Sequence, residues 1–269
     1  MTAFEPAPDD FARTYDDGKP QIVWTTLVAD LETPVSVYLK LAEGRTNTFL
    51  LESVEGGAVR GRYSVIGLDP DWLFRAIGTE ASRSALPDLS AFHDQPEPPL
   101  EALRKLLAES RIDLPEGLPP MSAGVFGYLG YDTVRLMEDL PAANPDFLNV
   151  PDIFLVRPQV VVIFDSVRDE MTIVTPVRPT AGTKAEDAHR RAVNRLTEIV
   201  EALDRPIDRT AEQADVDLDA AIQSNTPPDD YKAMVDRAKE YIAAGDIFQV
   251  VLSQRFEAPF PLPAFALYR

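Results

Sequence analysis

The spacing of apolar residues changes at Gly245, from the period of a helix to the period of a strand. Thr226, followed by two prolines and Asp229, predicts the start of a helix, and Gly245 predicts its end. From 247 to 256 the pattern alternates every second residue and predicts a strand that carries Gln249 on its more polar side. The apolar positions of the helix recur at three- and four-residue steps on one face: Tyr231, Met234, Val235, Ala238, Tyr241 and Ile242.

Earlier in the chain, several short apolar runs are bounded by glycine and proline and predict strands joined by tight turns. Amphipathic patterns between them predict helices, the longest over 185–203. Because consecutive strands are separated by turns, they pair with antiparallel neighbours. The predicted fold class is α+β, an antiparallel β-sandwich with flanking helices. The strands are predicted at 21–29, 47–53, 62–68, 72–77, 159–165 and 170–175.

Composition divides the chain into four segments. Residues 1–20 are polar and irregular, which predicts a mobile lead-in, and residues 21–204 predict an N-terminal domain. Residues 205–225 are acidic and poor in large apolar groups, as expected of an exposed linker. Residues 226–269 predict the start of a second domain that ends in a helical pattern without a C-cap, so we expect this fold to be incomplete at the C-terminus.

The overall composition narrows the classes of protein and site. The 269 residues are 45% hydrophobic and 26% charged, as in ordinary globular proteins, and the net charge of −18 argues against nucleic-acid and membrane partners. No apolar run approaches the roughly 20 residues of a membrane span, and the acidic N-terminus is unlike a secretion signal. Without cysteine there is no disulfide or thiolate site, and no metal-ligand spacing stands out. We expect a cytoplasmic protein.

The string AKEYIAAGDIFQVVLSQRF, residues 238–256, resembles the opening of the chorismate-binding domain in the anthranilate synthase component I family. In related isochorismate synthases, a lysine that activates water stands where this chain has Gln249. A desolvated lysine can become a general base, whereas an amide cannot. The resemblance therefore implies that ammonia is the nucleophile and that Gln249 is a catalytic residue that orients the substrate.

A second resemblance involves LLES at 50–53 and GRYSVIG at 61–67. In the same family this strand pair forms part of the site where tryptophan binds and inhibits. Hydroxyl and carboxylate groups at a strand end can bond the ammonium and carboxylate of an amino acid. The resemblance implies tryptophan-binding roles for four residues: Glu52, Ser53, Tyr63 and Ser64. From composition alone, a strand that simply ends in solvent remains the alternative.

Further expectations come from the resemblance and not from the residues themselves. It implies the large subunit of anthranilate synthase, a carbon–oxygen lyase of tryptophan biosynthesis that is fed ammonia by a glutamine amidotransferase partner, component II. It makes 21–204 the regulatory domain and 226–269 the beginning of the chorismate-binding domain. Family members continue for about as many residues again, so we expect the Mg²⁺ ligands beyond Arg269 and no activity in this chain alone. Two alternatives stay open: the large subunit of aminodeoxychorismate synthase, and a non-catalytic module that binds tryptophan.

Overall fold

A computed structural model describes residues 3–55, 59–141, 145–207 and 222–269. The chain divides into two compact units, Met1–Ile207 and Asp208–Arg269. This boundary falls inside the predicted linker, most of which lies outside the described residues.

In the first unit, the described residues form eight strands, four α-helices and a 3₁₀ turn at Tyr131–Leu136. Their bounds are α1 Pro8–Asp16, β1 Gln21–Val28, α2 Pro34–Ala42, β2 Phe49–Glu55, β3 Val59–Ile77, β4 Glu80–Ala85, β5 Asp88–Asp94, α3 Pro99–Ser110, β6 Phe126–Leu129, β7 Ile153–Asp165, β8 Glu170–Val177 and α4 Ala185–Leu203. The strand pairs are antiparallel, in the order β1-β8-β7-β3-β4-β5, with β2 also paired to β3 and β6 to β7. The predicted antiparallel sheet with flanking helices is confirmed.

The two longest strands, β3 and β7, run along one another from Tyr63↔Asp165 to Ala76↔Ile153. The predicted strands at 62–68 and 72–77 are therefore two parts of β3, joined across a register shift between Pro70 and Trp72. Because β3 pairs with β2, β4 and β7, and β7 pairs with β3, β6 and β8, hydrogen bonds connect all eight strands into one sheet.

The sheet buries different side chains on its two faces, as the alternation of a strand requires. On one face, Ile66 and Leu68 of β3 pack with buried residues of α1, α2 and α4. On the other face, Val65 packs with Ile163 of β7, and the segment 112–126 covers them with partly buried apolar residues.

The N-terminal segment is more ordered than its composition indicates. The predicted irregular lead-in over 1–20 is wrong for residues 8–16, which form α1. Phe11 and Tyr15 lie one turn apart on that helix and are both buried, and the ring of Phe11 meets the ring of His189 on α4 edge-on at 4.9 Å between centroids. The prediction failed because a tertiary contact orders this segment. Its two aromatic residues are buried against α4, about 170 positions later in the sequence.

The second unit contains α5 Pro228–Ala244, α6 Ala264–Tyr268 and a short ladder between β9 Gln223–Ser224 and β10 Phe256–Glu257. The predicted helix is confirmed, and Gly245 ends it with a positive φ of 82°. The predicted strand over 247–256 is wrong except at Phe256, because the residues before it have no strand partner in the described part of the chain. None of the described helices combines the length and apolar character needed to span a membrane.

Candidate functional site

The four predicted tryptophan-binding residues lie on neighbouring strands, β2 and β3. Glu52 and Ser64 face each other directly across the antiparallel pair. Ser53 lies at a register shift between Glu52 and Val54, where β3 carries a bulge of two extra residues relative to β2. The prediction that these positions come together in one strand pair therefore agrees with the register.

Glycine allows the two strands to approach each other at this point. A Cβ atom at Gly61 would overlap the Ser53 hydroxyl and lie 2.8 Å from the Ser53 carbonyl carbon. A Cβ atom at Gly67, farther along β3, would overlap the ring of Phe49. The two glycines of GRYSVIG are thus explained by close packing against β2.

The same geometry divides the four residues between the two faces of the sheet. Ser64 and Ile66 are two positions apart in β3 and therefore share a face of the sheet. This is the face that the helices cover. Glu52, the cross-strand neighbour of Ser64, points to that face too.

Tyr63 lies on the opposite face, where its ring packs beside the cluster of Val65 and Ile163. Ser53 is on this second face as well, because it follows Glu52 directly in β2 and shares the face of Phe49. Glu52 and Ser53 are exposed, whereas Tyr63 and Ser64 are half-buried. The structure thus produces two pairs of candidate residues and not one pocket that contains all four.

An ion pair fixes the end of this strand pair to β7. Arg62 donates from Nε to both carboxylate oxygens of Asp165 at 3.1 Å, and from Nη2 to Oδ2 at 2.8 Å. The Arg62 guanidinium also lies over the Tyr63 ring, 4.8 Å from its centroid. Ser166 donates to the carbonyl oxygens of Gly61 at 3.2 Å and Arg62 at 3.1 Å.

These contacts shift the pKa values of both charged groups. The hydrogen bonds from Arg62 hold the pKa of the Asp165 carboxyl below its ordinary value, and the backbone N–H groups of Val167 and Arg168 lower it further. The same hydrogen bond raises the pKa of the Arg62 guanidinium. Sequence reasoning missed this pair, because 103 positions separate its members and no local pattern connects them.

Gln249, the predicted catalytic residue, lies in the second unit and is exposed there. A cavity of about 490 Å³ forms between α5 and the segment that follows Gly245, and it is mainly apolar. Ile247, Val250 and Leu252 line this cavity, but Gln249 does not. No described residue of α5 is buried, so its apolar stripe lies partly open on this unit.

The described part of the chain contains no cluster of side chains suited to bind a metal ion. Nowhere in it do three His, Cys, Asp or Glu side chains come together in a way that could hold a metal ion.

Comparison with known proteins identifies the family. The model of a family described as "chorismate binding enzyme" matches residues 46–269. Anthranilate synthase component 1 of Cereibacter sphaeroides is 49% identical over 271 residues, which cover 100% of this chain and 53% of that protein. Anthranilate synthase component 1 of Pseudomonas aeruginosa is 35% identical over 270 residues, covering 97% of this chain and 53% of that protein.

A solved structure supports the fold. The crystal structure of anthranilate synthase component I from Streptococcus pneumoniae TIGR4 superposes with a TM-score of 0.61 at 23% identity, covering 90% of this chain and 50% of that one. This chain spans about half the length of the relatives it matches. Since the family model covers most of its residues, the chain belongs to the chorismate binding enzyme family.

Proposed function

We propose that this chain is the N-terminal half of the large subunit of anthranilate synthase. The observation that carries the proposal is the 49% identity, over the whole chain, to a protein named anthranilate synthase component 1. The strings around Gln249 and Ser53 point to the same branch of the family.

In the proposed reaction, ammonia forms a carbon–nitrogen bond to the chorismate ring, the ring hydroxyl leaves as water, and pyruvate is eliminated to give anthranilate. The role of Gln249 is to orient the substrate, because a side-chain amide has no basic lone pair with which to remove a proton. Gln249 is exposed in this chain, so the proposal requires residues beyond Arg269 to complete a substrate cavity around it.

Magnesium and the partner subunit belong to the proposal through the family alone. The described residues do not fit a magnesium site, because no three carboxylate or imidazole groups converge among them. We therefore derive no step through the metal, and the proposal assigns its ligands to residues outside this chain. A glutamine amidotransferase, component II, would supply the ammonia.

Regulation by tryptophan is proposed for the strand pair of β2 and β3. Ser53 is exposed beside the bulge, and its hydroxyl can donate to a carboxylate or accept from an ammonium group. Tyr63 shares its face and offers an aromatic ring. Glu52 and Ser64 lie on the other face, so we assign the main contact to Ser53.

The test compares the 269-residue chain with the protein extended to the length of its relatives. Each is incubated with chorismate, ammonium and Mg²⁺, and anthranilate is followed by its fluorescence. We expect anthranilate from the longer protein and none from the 269-residue chain. In the longer protein, Gln249→Ala should lower kcat/KM by about tenfold or more, as loss of a substrate hydrogen bond does.

The products and the inhibitor distinguish the alternatives. Chromatographic detection of aminodeoxychorismate in place of anthranilate would assign the protein to the other ammonia-using branch. Tryptophan binding by a longer protein that forms neither product would favour a regulatory module without catalysis. Turnover by the 269-residue chain itself would contradict the proposal that catalysis requires residues beyond Arg269.

A further inference from the structure

A second cavity, of about 270 Å³, lies in the first unit between the end of β8 and α4, and arginine is its main charged component. Arg178 follows directly after β8, and Arg191 and Arg195 lie one turn apart on α4. Residues four positions apart share a helix face, so both α4 arginines lie on the side that faces the cavity. Sequence patterns did not single out this cluster.

The positive charge is not balanced by the residues that line the cavity. Asp71 is the acidic side chain among them, and it forms a salt bridge with Arg157. Arg157 donates from Nε to Asp71 Oδ1 and from Nη2 to Asp71 Oδ2, both at 2.7 Å. Asp71 acts on both Arg178 and Arg195, and Asp69 and Glu198 act on Arg195 from outside the lining. Asp69 is itself paired with Arg45.

The arginines of the cavity bond mainly to neutral acceptors. Arg178 donates from Nη2 to the Ser110 carbonyl oxygen at 3.0 Å, and Arg195 donates from Nη1 to the Thr175 hydroxyl at 2.9 Å. Arg191 is exposed at the rim and has no ion pair in the part of the chain that the structure describes. Three guanidinium groups thus converge on one cavity, in a chain whose net charge is −18.

Burial of the arginines makes this arrangement costly without an anion. Desolvation, together with the charge of Arg157, lowers the pKa of Arg178 to about 10. Burial also lowers the pKa of Arg195. The Nε of Arg178 is buried without a hydrogen-bond partner among the described residues. A partly buried cation without a matching anion is unfavourable, and a bound anion would reduce that cost.

We propose that this cavity is a binding site for a small oxyanion, a carboxylate or phosphate group, held by Arg178, Arg191 and Arg195. The planar guanidinium fork matches the oxygens of both groups and bonds them in pairs. Thr180, Thr183 and Gln159 also line the cavity and can supply neutral hydrogen bonds. The volume is small beside ordinary ligand pockets of about 300–1,000 Å³, which favours a compact anion.

Occupancy would also stabilise the first unit. Arg178 and Arg157 both contact Ser110, the last residue of α3, through its carbonyl oxygen and its hydroxyl. An anion on Arg178 would therefore be linked to the position of α3 as well as to β8 and α4. A ligand that binds only the folded state raises the melting temperature as its concentration increases.

Isothermal titration of the 269-residue chain at low ionic strength tests the proposal with two probes, inorganic phosphate and succinate. We expect saturable binding of at least one probe with one site per chain, and a melting temperature that rises with that probe. The stronger probe identifies the preferred class of oxyanion. If neither titration saturates in the millimolar range, the proposal is overturned.

Matched variants locate the site. Arg191→Gln should weaken binding by about fivefold, the effect of an exposed charge. Arg195→Lys, which keeps the charge and loses the fork, should weaken it by about tenfold. The control is Arg190→Gln on the same helix, where the arginine is exposed and paired with Asp187. An equal loss in Arg190→Gln and Arg191→Gln would show that binding follows only the net charge and would contradict the proposed site.

Discussion

Arg62 and Asp165 connect the first residues of β3 to the last residue of β7 through three hydrogen bonds of 2.8 to 3.1 Å. The Asp165 side chain is 9% exposed and that of Arg62 is 46% exposed, so the pair lies at the boundary between core and solvent. Since Asp165 also faces Tyr63 in the register, the pair fixes the part of β3 that carries the candidate tryptophan-binding residues.

Replacing Asp165 by Asn should destabilise the first unit by about 1–3 kcal/mol at pH 7, the usual effect of losing hydrogen bonds to a charged group. The carboxyl pKa is lower in the folded chain than the unfolded value of about 3.9. Ionised Asp165 therefore stabilises the fold above that value, and the stabilisation is lost as the pH falls through the folded pKa. Urea unfolding at pH 7 and pH 3 should show a difference between wild type and variant that shrinks at the lower pH.

Glu109→Gln is the control for this experiment, because it removes a carboxylate from an exposed pair with Arg83. Its effect at pH 7 should stay within about 0.5 kcal/mol. Equal effects of the two variants, or a difference for Asp165→Asn that persists unchanged at pH 3, would contradict a specific role for the pair with Arg62.

Gly61→Ala should destabilise the first unit by about 1–3 kcal/mol, because the new methyl group would overlap Ser53 across the strand pair. The neighbouring atoms include the Ser53 backbone, which cannot rotate away as a side chain can. Gly130→Ala provides the comparison, since its nearest neighbour would be the Asp152 carbonyl oxygen at 3.2 Å. Thermal unfolding should rank Gly61→Ala as clearly less stable than Gly130→Ala.

Phe11→Ala should destabilise the first unit by about 3–5 kcal/mol, the usual cost of removing a buried aromatic ring. Phe11 is fully buried between Tyr15 and His189, whereas Phe248 in the second unit is 95% exposed. Phe248→Ala removes the same atoms and should leave the unfolding of the first unit unchanged. A small effect of Phe11→Ala would instead support the mobile N-terminal segment that composition predicts.

Local signals predicted the ends of helices well. Thr33, followed by Pro34, has the sequence of a helix start, and it begins α2 through a capping box. In this box Ser36 donates a backbone N–H to the Thr33 hydroxyl at 3.0 Å and accepts from the Thr33 N–H at 2.8 Å. Gly245 ends α5 in the left-handed conformation that favours glycine. These features depend on residues within one turn of each other, so a single sequence contains the information.

Features that depend on distant residues were predicted less well. The strand over 247–256 had the correct alternation, but a strand also needs a neighbour with which to exchange hydrogen bonds, and a sequence pattern does not supply one. The resemblance correctly placed Glu52, Ser53, Tyr63 and Ser64 on two paired strands. It did not predict their division between two faces, which follows from the alternation along each strand and from the pairing of Glu52 with Ser64.

That division leads to a prediction about inhibition in the protein extended to the length of its relatives. If tryptophan binds on the face that contains Ser53 and Tyr63, Ser53→Ala should weaken inhibition by about tenfold or more, since it removes a hydrogen bond to a charged group of the ligand. The measurement is the tryptophan concentration that halves anthranilate formation, together with kcat and KM for chorismate without inhibitor. Those two constants should change little, because Ser53 is assigned to the effector and not to the substrate.

Ser64→Ala is the matched control, because it removes the same hydroxyl one strand away, on the face that packs against helices. We expect the half-inhibiting concentration of tryptophan to change by less than about twofold, as for a surface group that does not touch the ligand. The opposite ranking, with Ser64→Ala sensitive and Ser53→Ala neutral, would place the effector on the face of Glu52. Equal losses in both variants would mean that inhibition by tryptophan depends on the stability of the strand pair itself. Gly61→Ala should then weaken inhibition in proportion to its effect on the free energy of unfolding.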